Sequence, residues 1–157
     1  MNGILKQRVA WLAASLALVG AAAFATTARA TTNADLRAGV YSDNGVGLGG
    51  GVLTDMGSRN WYFNPNVEAA FGDGSDQFAM NADFHYDFPT SENYSPYLGA
   101  GPALLWHHPD VGETDTSPGI NVLGGVVGKR GDVRPFMQMK GVLGDRSQVA
   151  LVGGVRF

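Results

Sequence analysis

Asp83, His85 and Asp87 stand at alternate positions in one short run. In an extended chain that spacing brings an imidazole and two carboxylates to one side, the raw material of a general base with its orienting acid. Acyl transfer would also need a nucleophile within hydrogen-bond reach of the ring. The hydroxyl in the neighbouring turn is Ser75, which an extended chain holds roughly 30 Å from His85 at ~3.3 Å per residue. No catalytic residue is therefore assigned. A second group, His107, His108, Asp110, Glu113 and Asp115, joins imidazoles to carboxylates, a donor set suited to a divalent cation. Its spacing matches no defined metal motif, and a solvated acidic loop accounts for it, so neither metal nor cofactor is expected. The run Gly47–Gly51 imitates a phosphate cradle, but no helix and no Gly-Lys-Ser/Thr follow it.

The elements that carry these residues read as strands. Phe78, Met80, Ala82, Phe84, Tyr86 and Phe88 share one parity, while Gln77, Ala79, Asn81, Asp83, His85 and Asp87 share the other. A strand separates the two sets onto opposite faces and a helix would scatter them. Trp61 to Phe71 repeats the pattern, and Gly72-Asp73-Gly74-Ser75-Asp76 between the two runs supplies turn residues. The same reading predicts eight strands, near 35–42, 46–54, 61–71, 77–88, 94–106, 120–128, 134–143 and 148–157. Several reach the ~9–11 residues that a tilted strand needs to cross a bilayer. The expected fold is all-β: an eight-stranded antiparallel up-and-down transmembrane β-barrel. Pro65 and Pro102 fall inside strands and each removes a ladder donor, so bulges or rim positions are expected there.

The first 30 residues read as a signal peptide: Lys6 and Arg8, an apolar run from Val9 to about Ala25, then Ala28-Arg29-Ala30. The domain division is 1–30 for export and 31–157 for the barrel. Without Lys6, Arg8 and Arg29 the formal charge falls from −3 to −6, which excludes a basic nucleic-acid footprint. Cys is absent, so disulfides and thiolate metal sites are excluded.

Alternation alone does not say which face meets lipid, because a soluble lipocalin-like ligand carrier also alternates. The polar parity here is rich in Asn and Gln and poor in Lys and Glu, and it carries Gly47, Gly49, Gly51, Gly99 and Gly101. Such a face suits a cramped interior. The predicted lumen network is Arg37, Asn64, Asn66, Glu68, Asn81, Asp83, His85, Gln138, Lys140 and Arg156, whose charges must be paired once buried. Eight strands leave room for little beyond side chains, so a narrow gated solute channel, with Glu68 or Asp83 exchanging partners, is the lesser alternative. Aromatics of the other parity collect near strand ends as membrane-interface residues: Trp61, Phe71, Phe78, Tyr86, Phe88 and Trp106.

At the end of the chain Val149, Leu151, Gly153, Val155 and Phe157 share one parity, and the last is aromatic. This resembles the terminal signature of outer-membrane proteins, and Pro96-Tyr97-Leu98-Gly99-Ala100-Gly101 is similar to a segment of the OmpA-like and OmpX-like small barrels. The resemblance implies an outer-membrane location and Val155 and Phe157 as the signal read by the barrel-assembly machinery. It also implies outer-membrane lipid and lipopolysaccharide as surroundings, and a monomer. The His-x-Ser-Asn arrangement of outer-membrane lipid A deacylases is missing, which argues against a lipid A-modifying enzyme. Nothing after Phe157 corresponds to the peptidoglycan-binding domain of OmpA, so anchoring of that kind is not expected. With Phe157 on the periplasmic side, the turns near 54–59, 89–93 and 129–133 would be periplasmic. Those at 43–45, 72–76, 107–119 and 144–147 would face outward. The expected role is structural, in envelope integrity or presentation of surface loops, without catalysis.

Overall fold

Apolar-polar alternation over 9 to 16 residues gives eight strands, each pairing with its sequence neighbours. The computed structural model describes residues 32–72, 74–110 and 112–157; the signal peptide assigned to 1–30 lies outside them. The strands are β1 (Thr32–Tyr41), β2 (Gly45–Asp55), β3 (Trp61–Gly72), β4 (Ser75–Asp87), β5 (Tyr94–Pro109), β6 (Asp115–Gly128), β7 (Arg134–Gly144) and β8 (Gln148–Arg156). β1 also pairs with β8 antiparallel, from Asp35↔Arg156 to Tyr41↔Ala150, and the sheet closes into a barrel. Closure leaves no edge strand with unbonded backbone.

The register sets the barrel's dimensions. A path of cross-strand partners runs Thr32, Thr54, Phe63, Phe84, Ala100, Val122, Gly141, Val149 and returns at Ser42, the residue after β1. It comes back ten residues along from its start. Ten steps of ~3.3 Å against eight strand spacings of ~4.8 Å give a tilt of about 40° and a backbone diameter of roughly 16 Å. Side chains from opposite walls must meet across such a space.

Two expectations are corrected here. The segment 107–119 is not a long loop: β5 continues to Pro109, β6 begins at Asp115, and His107 pairs with Asp115. Its polar, Gly- and Pro-containing composition reads as loop, but β5 stays paired with β4 as far as Ser75↔Pro109 and with β6 as far as His107↔Asp115, so the ladder continues through it. The two prolines also make no bulge. Pro65 pairs with Ala82 and Pro102 with Ile120 in uninterrupted register. Each instead opens a gap on the other side, where the β2–β3 pairing skips from Gly51↔Asn66 to Thr54↔Phe63 and the β4–β5 pairing from Asn81↔Ala103 to Phe84↔Ala100. The strand direction is kept and one donor is lost.

Candidate functional site

The interior is built on two linked rings of hydrogen bonds. In the first, Arg37 on β1 donates through Nε to Asp35 Oδ1 at 2.8 Å and through Nη2 to Asn64 Oδ1 at 2.8 Å. Asn64 returns a bond from Nδ2 to Asp35 Oδ2 at 2.9 Å. In the second, Asn66 and Asn121 each donate to Asp83 at 2.8 Å, Asn81 donates to Asn66 at 2.9 Å, and Asn121 to Asn81 at 2.9 Å. Asn66 also donates to the Asn64 carbonyl at 3.0 Å and so ties the rings together. The two Asp83 oxygens are thus held by amides rather than by a cation.

Glu68 stands between the rings and the far wall. Arg37 Nη1 reaches its Oε1 at 3.4 Å, and Lys140 Nζ bonds its Oε2. Glu68 is on β3 and Lys140 on β7, four strands apart in a ring of eight, so this ion pair spans the full diameter. Tyr97 Oη on β5 donates to Gln138 Oε1 on β7 at 3.1 Å, adding a second tie. Glu68 is 3% exposed and Lys140 1%. A pair so enclosed is stable only because each charge has its counterpart and further hydrogen bonds.

Toward the end where the chain closes, His85 lies between the rings of Tyr62 and Tyr97, at centroid distances of 5.5 and 5.1 Å, with its Nε2 3.3 Å from Asp87 Oδ1. The Arg156 guanidinium sits 5.1 Å from the centroids of both Tyr97 and Phe136. Every predicted lumen residue, from Arg37 and Asn64 to Gln138 and Arg156, is buried. The sequence reading missed Asp35, Tyr97 and Phe136. A signal for the two rings existed: each faces a glycine across the ladder, Tyr97↔Gly125 and Phe136↔Gly154. A Cβ on Gly125 would stand 2.6 Å from Tyr97 Cζ and one on Gly154 2.7 Å from the Phe136 ring. The aromatic rings occupy the space those glycines leave.

Pro65 explains why Asn64 is needed. Without an N–H on Pro65, the Val52 carbonyl across the gap loses its ladder donor. Asn64 Nδ2 bonds that oxygen at 3.1 Å. An amide from the lumen side therefore completes the backbone of the wall, where an unbonded group in contact with hydrocarbon would cost several kcal/mol.

The outer surface has the opposite chemistry. Leu98 is 60% exposed, Met139 64% and Leu151 56%, with Phe84 at 39%. Aromatics form one group at Trp61, Tyr86 and Phe88, with ring centroids 5.4 and 5.2 Å apart in sequence. A second group contains Phe71, Phe78 and Trp106, the last two 5.5 Å apart. Phe78 on β4 and Phe88 just past its end are ten residues apart, about 33 Å of extended chain or ~25 Å along the barrel axis at ~40° tilt. That is the height of the apolar band in outer-membrane barrels, ~25 Å.

The chain is similar in fold to Neisserial surface protein A. The crystal structure of that protein superposes with a TM-score of 0.65 at 21% identity, covering 80% of this chain and 94% of that one. A de novo designed transmembrane β-barrel gives 0.53 at 12% identity, with 80% and 94% covered. Ail, the attachment invasion locus protein of Yersinia pestis, gives 0.50 at 13%, with 82% and 97% covered. No family model matches the chain, and no curated protein matches it. The likeness is one of architecture, the eight-stranded closed barrel.

His85 meets Asp87, but the Ser75 considered as their nucleophile is remote from them, and the His107 to Asp115 group is not gathered around one point. Ser75 and His85 lie near opposite ends of β4, and Asn44 Nδ2 donates to Ser75 Oγ at 3.0 Å. His107 and His108 are adjacent in a strand and so point to opposite faces; His108 Nδ1 bonds Thr114 Oγ1. Among the described residues no group of three His, Cys, Asp or Glu side chains is arranged to hold a metal ion.

Proposed function

We propose that this chain is exported and resides in a bacterial outer membrane as a monomeric barrel that supports envelope integrity without catalysis. One observation carries the reading: large apolar side chains face outward around a closed sheet, while ions and amides are buried inside it. Water would favour the reverse, whereas hydrocarbon favours this one and requires a closed ladder. The same inversion disfavours a lipocalin-like carrier, and the Glu68–Lys140 tie across the lumen disfavours an open channel. Outer-membrane lipid and lipopolysaccharide are the surroundings in this reading. Val155 and Phe157 are the residues through which the barrel-assembly machinery engages the chain. The short turns at 42–44 and 145–147 leave little surface for loop presentation, which favours the structural role. The test is membrane fractionation with carbonate washing, followed by electrophoresis of boiled and unboiled samples. A carbonate-resistant protein whose unboiled form migrates differently supports the proposal; recovery in the aqueous fraction refutes it.

A further inference from the structure

One buried cation of the interior has no carboxylate of its own. Arg156 is 4% exposed, yet it forms no ion pair among the described residues. Its Nε is buried without a hydrogen-bond partner. The register sets Asp35 directly beside it on β1, but Arg37 and Asn64 already donate to the two oxygens of that carboxylate. On the other side the register sets Arg134 of β7, which forms no ion pair among the described residues either. Directly opposed residues of an antiparallel pair have Cβ atoms ~4.5–5.5 Å apart, and like charges there repel. Asp87, at the end of β4, lies against His85 instead. The Arg156 guanidinium rests on the Tyr97 and Phe136 rings, which fill the space left by Gly125 and Gly154. The other guanidinium against Phe136, that of Arg37, is neutralised by Asp35 and Glu68. Gln138, whose Oε1 accepts from Tyr97 Oη, has a buried Nε2 with no acceptor.

We infer that Arg156 and Arg134 together bind a phosphate group entering through the end of the barrel where the chain closes, with the Gln138 amide as a further donor. Each guanidinium is a planar fork of N–H donors. A tetrahedral phosphate has oxygens enough for two forks, whereas a carboxylate fills one. An anion between the arginines replaces one repulsion with two attractions, and the two rings fix the Arg156 fork before the ligand arrives. Arg134, half-buried at the rim, meets the ligand first. The register alone places the site, so it stands apart from the membrane reading, which adds only that this end faces the periplasm. The phosphate is then that of a free solute or of an inner-leaflet lipid head group.

The full barrel, purified in a phosphate-free detergent, is titrated by isothermal calorimetry with inorganic phosphate and, separately, with short-chain phosphatidic acid. Sodium chloride holds the ionic strength constant. Saturable binding of one phosphate group per chain is expected. Arg134→Gln should weaken it roughly tenfold to a hundredfold, as for the loss of hydrogen bonds to a charged group, and Arg156→Gln should abolish it. Arg59→Gln, which removes a cation from an exposed turn at the same end, should leave it unchanged. If Arg156→Gln yields no heat-shifted band, Gln138→Glu keeps an acceptor for Tyr97 Oη, puts a negative charge into the site and should likewise abolish binding. Binding of inorganic phosphate assigns the site to a solute; binding of phosphatidic acid alone assigns it to a lipid head group. Binding of neither, binding that survives any of the site variants, or equal weakening by Arg59→Gln overturns the inference. Recovery in the aqueous fraction would refute the membrane reading and leave this site to be titrated without detergent.

Discussion

The pairing of Pro65 with Asn64 is testable as a coupling between two residues that act on one carbonyl. Asn64→Ala removes the 3.1 Å bond to Val52 O and also the bonds to Asp35 and Arg37. The orphaned carbonyl alone should cost about 1–3 kcal/mol, and the charge-assisted bonds a comparable amount. Pro65→Ala returns an N–H aimed at the same oxygen. Alone it should be nearly neutral, because the regained ladder bond of ~0.5–1.5 kcal/mol offsets the freedom that the unfolded chain regains, ~0.4–1 kcal/mol. In the double variant the Val52 oxygen keeps a donor, so Asn64→Ala should cost about 1–2 kcal/mol less than in the parent. That is roughly tenfold in the folded-to-unfolded ratio. Urea titration in lipid vesicles, read from the heat-shifted band on an unboiled gel, measures all four corners of the cycle. Costs that add within ~0.5 kcal/mol would refute the claim that Asn64 completes the wall.

Three further outcomes are expected. Lys140→Met should destabilise the barrel by up to about 3–5 kcal/mol because it leaves the buried Glu68 carboxylate only the 3.4 Å contact with Arg37, while Glu68→Leu with Lys140→Met should recover most of that; the same urea titration separates them. Leu151→Arg, on the exposed outer face of β8, should cost about 2–4 kcal/mol if that face meets the bilayer midplane, and much less if it meets water. Phe157→Ser should lower the amount of heat-shifted protein in the outer membrane of cells, measured against total protein by immunoblot, while the purified variant still folds in detergent.

The architecture was legible because alternation is a local signal: the run from Gln77 to Phe88 separates its two faces without reference to any other strand. Which polar residues enter the interior followed from the same parity, as at Glu68, Asp83 and Lys140. What meets what did not. Glu68 finds Lys140 only because four strands separate them around a ring, a relation that depends on closure and on the ten-residue stagger. Tyr97 and Phe136 were missed because parity marks direction and says nothing of the size of the space ahead. The cross-strand glycines that define that space become neighbours only once the register is known. Residues 107–119 were misread because loop composition does not exclude a strand whose ladder partners, Ser75 to Gln77 on one side and Asp115 to Gly119 on the other, are known only from the register. Pro65 was read as a defect of the strand, and its compensation by Asn64 requires knowing that Val52 lies opposite.

The buried charges are also divided unevenly along the chain. Asp35, Glu68 and Asp83 with Arg37 belong to the first four strands, and Lys140 and Arg156 to the last four. Taken alone, the first half of the interior carries two excess negative charges and the second half two excess positive ones. Neither half could rest in hydrocarbon without the other, since an unneutralised ion there is expensive. If the barrel enters a bilayer as proposed, insertion of the early hairpins would await the late ones, and the carboxylates that begin the fold would become tolerable only when its final strands arrive.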